Sequence, residues 1–573
     1  MAFDGLTLAV CVDELKHKLP DAKIQKILMP GREEIVLMLY SQQHGNIKLV
    51  LNADAGNCSV YLTTASKPNP KTAPAFCMLL RKYLAGARIL SVDQHGLDRV
   101  VSVTVEAKDE LMQKSELKLI AEIMGKHSNI ILVGQDGRVL DCVRRVSVDV
   151  SSKRQVLPGS MYLQPPTEQY NPLQLSMTSL EELVIPPDNG NVQRHLSSTF
   201  QGMSTQTANE IIHLSGLDPL GGIFTRTHAR VLASVLHDFY EKAIGHPQPC
   251  IQTNDLGLPV FFSAVPYQTY PENLRQLFPT CNGMLDYYYT KRESDFLLNQ
   301  KKDALLSVLK KNLAKLNKKI KIYMESLEEA KKADDLAFRA QLITANIYRL
   351  KKGMNHFEAQ DFTTGETVAI PLDLSLTPSQ NAQKLFKKVS KLKTAQEMGT
   401  RQLEEALDER EFLENTMLYV QKADEAADLD EIQFQMVKNG LIKEQQKKKA
   451  LPPPESSPRE FTSPAGYTIL VGKNDRQNEM LTMRMADKND IWFHAKNMPG
   501  SHVLLLSRGA VLDDIDDDSI LMAAGLAAKY SAAKQSGKTP VDYTQRYNVK
   551  KTPASRPGKV IYDHYFTLYV EPV

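Results

Sequence analysis

The strongest constraint on the fold is an apolar seam in the middle of the chain. Its spacing alternates between three and four residues through Leu306, Leu309, Leu313, Leu316, Ile320, Tyr323 and Leu327. This alternation is the a/d pattern of a coiled coil, held here for about three heptads. The seam predicts one long helix at about 291–352.

A weaker seam predicts the partner of this helix. It runs through the apolar residues Leu403, Ala406, Leu413, Met417 and Val420. Arg410 interrupts it, and the helical stretch around it extends from 379 to about 449, after a β-like insert near 353–378. We expect the two halves to pack as a long antiparallel coiled-coil arm at 286–450. At ~1.5 Å per residue, a helix of about sixty residues reaches roughly 90 Å.

Charge is segregated along the predicted arm. The second helix is acidic at 404–411, whereas the first begins with a lysine-rich stretch opposed only by Asp303. The lysines of that stretch are Lys301, Lys302, Lys310, Lys311, Lys315, Lys318, Lys319 and Lys321. Two interpretations stay open: the two faces pair with each other and with water, or the basic face binds the phosphates of a nucleic acid.

Short β runs dominate the N-terminal part, and we expect an antiparallel β-rich domain at 1–172. A helix at about 73–84 interrupts the strands. The strand patterns, separated by turn residues, occur at 34–40, 47–51, 100–105 and 117–123.

Helical periodicity follows at about 173–244. The segment 200–216 predicts helix, tight turn and helix, with Ser204 or Thr205 as the N-cap. We expect a helix-hairpin-helix domain with a β-hairpin at 173–285.

A linker rich in proline and serine at 451–460 precedes a small α+β domain at 461–573. Helices are predicted after Asp475 and after Asp516. The strand patterns of this domain occur at 467–471, 490–494, 502–506 and 560–570.

Cations and tyrosines are interleaved in the C-terminal domain at 538–559, where Asp542 is the only acidic residue. Tyr543 and Tyr547 lie among lysines and arginines. This mixture suits a phosphate backbone with bases that can stack. A solvated surface loop is the alternative interpretation.

Composition excludes several classes of protein. With 42% hydrophobic and 24% charged residues and a formal charge of +3, the chain is globular rather than disordered or fibrous. Its six cysteines are far apart, so we expect a reduced, cytoplasmic chain without a zinc site. The N-terminus lacks the basic start of a signal peptide, and no apolar run reaches the ~20 residues of a membrane span. We therefore expect no membrane association.

Catalytic motifs are missing from the sequence. It contains no phosphate-binding Gly-rich loop with Lys, no Gly-x-Ser-x-Gly, no His-Glu-x-x-His and no kinase signature set. His127, His494 and His502 could act as general bases, but a lone histidine beside a strand more often packs or donates a hydrogen bond. We expect a binding protein that needs no cofactor or metal, not an enzyme.

Several motifs, in order along nearly the whole chain, resemble those of the NFACT family. They are Phe-Asp-Gly at 3–5, Leu-Asp-Arg at 97–99, Glu-Ile-Met-Gly-Lys-His-Ser-Asn at 122–129, the arm segments 345–348 and 377–383, and Asp-Ile-Trp-Phe-His-Ala-Lys-Asn-Met-Pro-Gly-Ser-His at 490–502. The resemblance implies a multidomain α+β protein with a C-terminal RNA-binding domain.

The resemblance also implies a function in ribosome-associated quality control. The protein would bind a large ribosomal subunit that still holds peptidyl-tRNA after a stalled ribosome splits. It would recruit alanyl-tRNA, so that the stalled chain grows an alanine tail that marks it for degradation. Peptide-bond formation would be left to ribosomal RNA. A small RNA-binding partner protein is a further implied partner.

Site residues are carried over from the family onto matching positions. For tRNA binding they are Asp98, Arg99, Glu122, Ile123, Met124, Gly125, Lys126 and His127. For binding of RNA or the ribosome they are Lys310, Lys311, Lys318, Trp492, His494, Lys550, Lys551 and Arg556. Arg99 offers a planar donor fork, and the carboxylates of Asp98 and Glu122 can accept from amines or a 2′-hydroxyl. Without the family, an Asp-Arg pair that orders a turn would be the simpler interpretation.

Two rival functions remain. The N-terminal domain and the hairpin resemble DNA glycosylases that attack through an N-terminal proline amine. Here Met1 is followed by Ala2 and Phe3, so we expect no such activity. Bacterial family members also carry a fibronectin-binding label, which makes a surface adhesin with fibronectin as its partner the other alternative.

Overall fold

The computed structural model describes residues 3–108, 113–147, 149, 151, 154–187, 191–217, 224–255, 257–361, 364–442, 456–533, 537–551, 553 and 555–573. The chain divides into two compact units, 1–295 and 296–573. The predicted helix end at 443–449 and the first half of the predicted linker, 451–455, lie outside the described residues.

The first unit begins with a helix that the periodicity did not predict, α1 (Gly5–Lys18). Asp4 is its N-cap: the Asp4 carboxylate accepts the Thr7 N–H at 2.8 Å and the Thr207 hydroxyl at 2.9 Å. Burial raises the pKa of Asp4. Because eight of the fourteen residues of α1 are buried, its pattern lacks the polar face that marks an amphipathic helix.

An antiparallel sheet forms the body of the first unit, as predicted. Its strands follow the order β4-β3-β2-β1-β5-β6-β7-β8-β9. Helix α2 (Ala75–Leu84) confirms the helix predicted within this region. The strands are β1 (Lys23–Gly31), β2 (Glu34–Ser41), β3 (Gly45–Asn52), β4 (Ser59–Leu62), β5 (Arg88–Gln94), β6 (Val100–Lys108), β7 (Lys114–Glu122), β8 (Asn129–Val133) and β9 (Val139–Cys142).

The helical region of the same unit ends in a small sheet. Ser204 caps α5, with its hydroxyl accepting the Thr207 N–H at 3.2 Å, as one of the two predicted caps. The helices are α3 (Met177–Leu183), α4 (Val192–Thr199), α5 (Thr205–Leu214) and α6 (Arg226–Gly245). The strands β10 (Cys250–Thr253), β11 (Pro259–Ser263) and β12 (Arg275–Leu277) pair in the order β11-β10-β12.

The arm helices differ from the prediction at their ends. The predicted single helix is broken into α7 (Cys281–Ala330) and α8 (Ala333–Ala345). Asp334 and Asp335 lie in the first turn of α8, where carboxylates favour a helix start. The hairpin β13 (His356–Gln360) and β14 (Thr367–Pro371) forms the insert.

The return helix is α9 (Pro378–Lys422), followed by α10 (Ala426–Lys438). Thr377 and Gln380 form a capping box at the start of α9, with Pro378 in the first turn.

The two predicted seams face each other. Leu309, Leu316 and Ile320 of α7 share one buried cluster with Leu413 and Val420 of α9. At one end, Lys302 donates to the Gln421 carbonyl at 3.3 Å. At the other, a Cβ on Gly399 would lie 3.2 Å from the Leu327 side chain. The helices therefore run in opposite directions along this stretch, while a superhelical coiled coil stays a prediction.

The C-terminal domain is an α+β unit with a six-stranded antiparallel sheet in the order β15-β16-β18-β17-β19-β22 and a separate pair, β20-β21. Helix α12 (Asp517–Lys529) packs on it, and α11 (Asp475–Met480) follows β16. The strands are β15 (Arg459–Thr462), β16 (Thr468–Val471), β17 (Ile491–Ala495), β18 (Val503–Leu505), β19 (Thr539–Gln545), β20 (Val549–Lys551), β21 (Val560–Tyr562) and β22 (Phe566–Val570).

One prediction about this domain was wrong, and one alternative interpretation does not hold. The strand predicted at 560–570 is divided at His564, which has φ +49°, into β21 paired with β20 and β22 paired with β19. The segment 538–551 is not a surface loop, because it contains β19 and β20. Asp542, its one carboxylate, is buried within β19.

Candidate nucleic-acid interface

The turn between β5 and β6 carries Asp98 and Arg99. The Asp98 carboxylate accepts the Arg99 N–H at 2.7 Å, which fixes the turn. The Arg99 carbonyl accepts the Ile123 N–H at 2.8 Å. Strand pairing of Val100 with Glu122 continues this contact. The structure therefore brings the predicted Asp-Arg pair and the predicted segment 122–127 together at one end of the sheet.

Glu122 differs from its predicted role as a ligand-facing carboxylate. It is only 3% exposed, and both of its oxygens contact the Arg154 guanidinium, one of them at 3.1 Å. The Tyr162 hydroxyl donates to it at 2.9 Å. Burial, followed by the Glu122 charge, raises the pKa of Tyr162. Since its acceptors are occupied, Glu122 holds the loop in place and does not present oxygens to a ligand.

The loop after Glu122 has a buried start and an exposed end. The Ile123 side chain is buried, and the Met124 N–H donates to the Ser128 hydroxyl at 2.8 Å. Gly125 has φ +58°, a conformation that side chains with a Cβ rarely adopt. Lys126 and His127 follow with exposed side chains. Ile123 therefore cannot contact RNA through its side chain, whereas Lys126 and His127 can.

Arg99 and Lys126 are the cations that remain available at this end of the sheet. Among the described residues, neither side chain has a hydrogen-bond or ion-pair partner. The nearby Arg144 side chain is not available to a ligand, because it pairs with Glu33 at 2.7 Å and donates to the Lys126 carbonyl. A free guanidinium fork beside a free ammonium can bind two phosphates, or one phosphate and a base edge.

Gln94 and Gln201, which no sequence motif predicts, fix the Asp98–Arg99 turn through hydrogen bonds. Gln201 accepts the Leu97 N–H at 3.2 Å, and Gln94 donates to the carbonyls of Gly5 and Asp98 at 3.0 and 2.8 Å. A Cβ on Gly5 would lie 1.9 Å from the Leu97 carbonyl oxygen. Glycine is therefore required at the opening Phe-Asp-Gly motif, because the turn packs directly on the start of α1.

The lysines of α7 at 301–321 mostly lack ion-pair partners among the described residues. Lys301 bonds to Asp430, and Lys321 lies 3.8 Å from Glu325. Five others are exposed and have no ion-pair partner among the described residues: Lys310, Lys311, Lys315, Lys318 and Lys319. Three of the five acids at 404–411 of α9 pair with other cations: Glu405 with Arg401, and Asp408 and Glu411 with Lys559. The structure thus disfavours mutual pairing of the two faces.

Two matching family models together span nearly all of the chain. The model described as NFACT N-terminal and middle domains matches residues 4–453, and the model described as NFACT protein RNA binding domain matches residues 458–563. The chain belongs to the NFACT family. The Asp98–Arg99 turn and the α7 lysines lie in the first NFACT match, and Trp492, His494, Lys550, Lys551 and Arg556 lie in the second.

Full-length relatives support the same assignment. The Rqc2 homolog RqcH of Streptococcus suis is 33% identical over 575 residues, which cover 100% of this NFACT chain and 98% of that protein. The Rqc2 homolog RqcH of Bacillus subtilis is also 33% identical, over 580 residues. The solved N-terminal part of the fibronectin/fibrinogen-binding protein from Streptococcus suis, 33% identical, aligns with a TM-score of 0.43 over 50% of this chain and 99% of that one.

The predicted residues of the NFACT RNA-binding domain are largely buried or paired. Trp492 is 1% exposed, and burial lowers the pKa of His494. Lys550 lies 3.4 Å from Asp563, and Lys551 lies 2.6 Å from Glu479. Arg556 stacks over the Phe412 ring at 4.6 Å. The sequence predicts that Lys550, Lys551 and Arg556 bind RNA. In the structure, acidic and aromatic side chains of the same unit already contact them.

Other candidate sites add little. His237, Asp238 and Glu241 on α6 place possible metal ligands within 4.8 Å of one another, but on an open helix surface where acidic groups commonly lie without an ion. All six cysteines are buried and free. Among the described helices, none is long and apolar enough to cross a membrane.

Proposed function

We propose that this NFACT protein is a cytoplasmic ribosome-associated quality-control factor. It binds the large ribosomal subunit that carries a stalled peptidyl-tRNA and recruits alanyl-tRNA for template-free alanine tailing. The full-length similarity to two bacterial Rqc2 homologs, together with the RNA-binding family match, supports a role in ribosome quality control and RNA binding.

The observation that carries the tRNA part is the free cationic turn of the first unit. Arg99 and Lys126 have no partner among the described residues, whereas neighbouring Arg144 and Arg154 are each paired with a glutamate. Residues that stabilise a fold through charge are normally paired, so unpaired cations on an ordered turn are suited to an anionic partner. The partner in this proposal is tRNA.

The unpaired lysines of α7 form the second part of the proposal. Phosphate contacts give RNA binding much of its affinity, and they do not depend on sequence. Exposed lysines along a long helix offer such contacts to ribosomal RNA. The arm therefore attaches the protein to the large subunit, while the Asp98–Arg99 turn selects tRNA.

The protein itself supplies no bond-making chemistry in this proposal. Ribosomal RNA forms the peptide bond, and the protein positions the incoming tRNA. The relevant advantage is orientation of two reactants, which requires binding surfaces but no nucleophile or cofactor.

The test compares two double variants of the intact protein. Asp98→Ala with Arg99→Ala removes the candidate tRNA contact. Asp21→Asn with Arg88→Ala removes another exposed Asp-Arg pair beside the same sheet, whose partners lie 3.4 Å apart, and asparagine tolerates the φ of +65° at Asp21. Affinity purification and RNA gel analysis should show lost tRNA and retained large subunit for the first variant, and both retained for the second.

Two outcomes would contradict this assignment. Equal tRNA recovery with both variants would mean that the Asp98–Arg99 turn does not bind tRNA. Loss of the large subunit together with tRNA in the first variant would mean that the pair only stabilises the fold. Fibronectin binding remains an alternative that only the names of similar proteins suggest, and no contact among the described residues favours it.

A further inference from the structure

A cleft of about 550 Å³ lies between α9 and the C-terminal domain, within the second unit. Phe412 and Tyr419 of α9 form one wall, and Asp475, Trp492 and Arg556 form part of the other. Its volume is within the range of roughly 300–1,000 Å³ that is typical of small-molecule sites. The cleft is therefore large enough for one nucleotide.

Trp492 borders this cleft with an unused hydrogen-bond donor. Its side chain is 1% exposed, and its Nε1 has no acceptor among the described residues. A buried indole N–H usually finds a partner, and leaving it without one costs about 1–3 kcal/mol. The neighbouring His494 ring stacks on Trp492 at 5.8 Å and an interplanar angle of 11°, so it does not accept this proton. The Nε1 atom itself is buried, so a ligand reaches it only when the side chains around the ring shift; an acceptor supplied by that ligand would then remove the cost.

Asp475 is the second polar group of the cleft. Its carboxylate accepts the Tyr419 hydroxyl at 2.8 Å, and that hydroxyl accepts the Asn478 amide at 2.9 Å. Burial raises the pKa of Asp475 to about 7, although Arg556 opposes the shift. Near neutral pH the carboxyl group can therefore accept a hydrogen bond from an amine or donate one to a ring nitrogen.

Planar groups and cations also line the cleft, together with the carboxylates of Asp408, Glu411 and Glu414. The Arg556 guanidinium lies over the Phe412 ring at 4.6 Å, and Tyr562 lies at 4.8 Å from Trp492. Flat side chains of this kind suit a flat heterocycle. Lys559 lies at the edge of the cleft, paired with Asp408 at 2.7 Å and Glu411 at 3.1 Å. It is 43% exposed, so it can exchange a carboxylate for a phosphate.

We propose that this cleft binds one unpaired nucleobase with an exocyclic amine, as in adenine. The amine donates to Asp475, a ring nitrogen accepts from Trp492 Nε1, and the phosphate lies near Lys559. The base comes from a single-stranded segment of RNA. This inference deepens the proposed RNA-binding function and rests on it for the source of the base.

The protein carries its own probe for this site, because Trp492 is its only tryptophan. Intact protein is titrated with AMP, with oligoadenylate and with oligouridylate, and Trp492 emission is recorded with inner-filter correction. We expect saturable changes with AMP and oligoadenylate, with the oligomer binding at least tenfold more tightly. Oligouridylate should bind at least tenfold more weakly than oligoadenylate, because uracil lacks the amine.

Variants test whether the change in Trp492 emission comes from a ligand in the cleft. Asp475→Ala should weaken AMP binding at least tenfold, whereas Asp563→Ala, which removes an exposed aspartate of the same domain, should not change it. If Asp475→Ala does not fold, Trp492→Phe replaces it. That variant removes the N–H and keeps an aromatic ring, and calorimetry should show AMP binding weakened about fivefold or more.

The outcomes separate this inference from the proposed function. No saturable change with either AMP or oligoadenylate would overturn the base site, and large-subunit co-sedimentation of the same preparation would show that the proposed function still holds. AMP binding without oligoadenylate binding would overturn RNA as the source and assign the site to a free nucleotide. Nucleotide binding with failed co-sedimentation would contradict the proposed function and leave the base site supported.

Discussion

The unpaired lysines of α7 lead to a quantitative prediction about salt. At 3.6 residues per turn, successive residues are about 100° apart around a helix. Lys311, Lys315 and Lys318 then fall within roughly 60° of one another, while Lys310 and Lys319 lie about 80° and 40° outside this arc. Only the first three can face a single RNA surface together. We therefore predict about three phosphate contacts from this face.

Each phosphate contact contributes about 0.9 to the slope of log affinity against log salt concentration on a B-form duplex, and about 0.7 on a single strand. Changing Lys311, Lys315 and Lys318 to Gln should lower the magnitude of that slope by about 2 to 3. The protein should stay folded, because exposed substitutions away from special features change the free energy of unfolding by about 0.5 kcal/mol or less. The assay is binding of labelled large subunits to the intact protein at several potassium chloride concentrations.

A matched control uses lysines that already have partners. Lys321, Lys331 and Lys384 lie 3.8, 2.6 and 2.9 Å from Glu325, Glu328 and Asp373. Their replacement by Gln should change the slope by less than about 1. An unchanged slope for the first triple variant, or the same decrease for both, would refute the inference that unpaired lysines bind ribosomal RNA.

Three further predictions follow from the site and the cleft. Arg99→Ala should weaken tRNA binding in a filter assay by a free energy of about 1–3 kcal/mol with an unchanged melting temperature, and Arg99→Lys should restore only part of it; an unchanged affinity would exclude Arg99 from the interface. Arg154→Met should destabilise the first unit by about 3–5 kcal/mol, because it leaves the buried Glu122 charge unpaired. Hydrogen exchange in β7 and β8 should become faster. Unchanged exchange would contradict a stabilising role of the Arg154–Glu122 pair. The raised pKa of Asp475, about 7 against 3.8, means that the folded state binds its proton more tightly. Its contribution to stability should be complete below about pH 4 and lost as pH rises through about 7, by at most about 4 kcal/mol. Asp475→Asn should flatten this dependence in urea titrations followed by Trp492 emission, and an unchanged pH profile would contradict it.

The arm was predictable because its side chains repeat. Leu309, Leu316 and Ile320 are buried as the a/d spacing requires, and the partner seam of Leu413 and Val420 meets them. The break at 331–332 was not predictable from spacing, since the seam ends just before it. It depends on the helix start at Asp334 and Asp335 and on the packing of the following hairpin.

The candidate site was predictable in position but not in the role of each residue. The family motif locates Asp98, Arg99 and the 122–127 segment, and the sheet places them side by side. Nothing local to Glu122 indicates that Arg154, 32 residues later, would occupy it. The burial of Trp492 was not predicted from the sequence for a related reason. Its strand neighbours Ile491 and Phe493 are also buried, so both faces of β17 are covered.

The proposed function requires this NFACT protein to bring one kind of tRNA to the large ribosomal subunit. The most direct test is to purify the tagged protein through a sucrose gradient and sequence the RNA bound to it. We predict large-subunit ribosomal RNA with alanine tRNA enriched over all other tRNAs. Protein that migrates free of both RNAs, at low salt as well as at physiological salt, would contradict it.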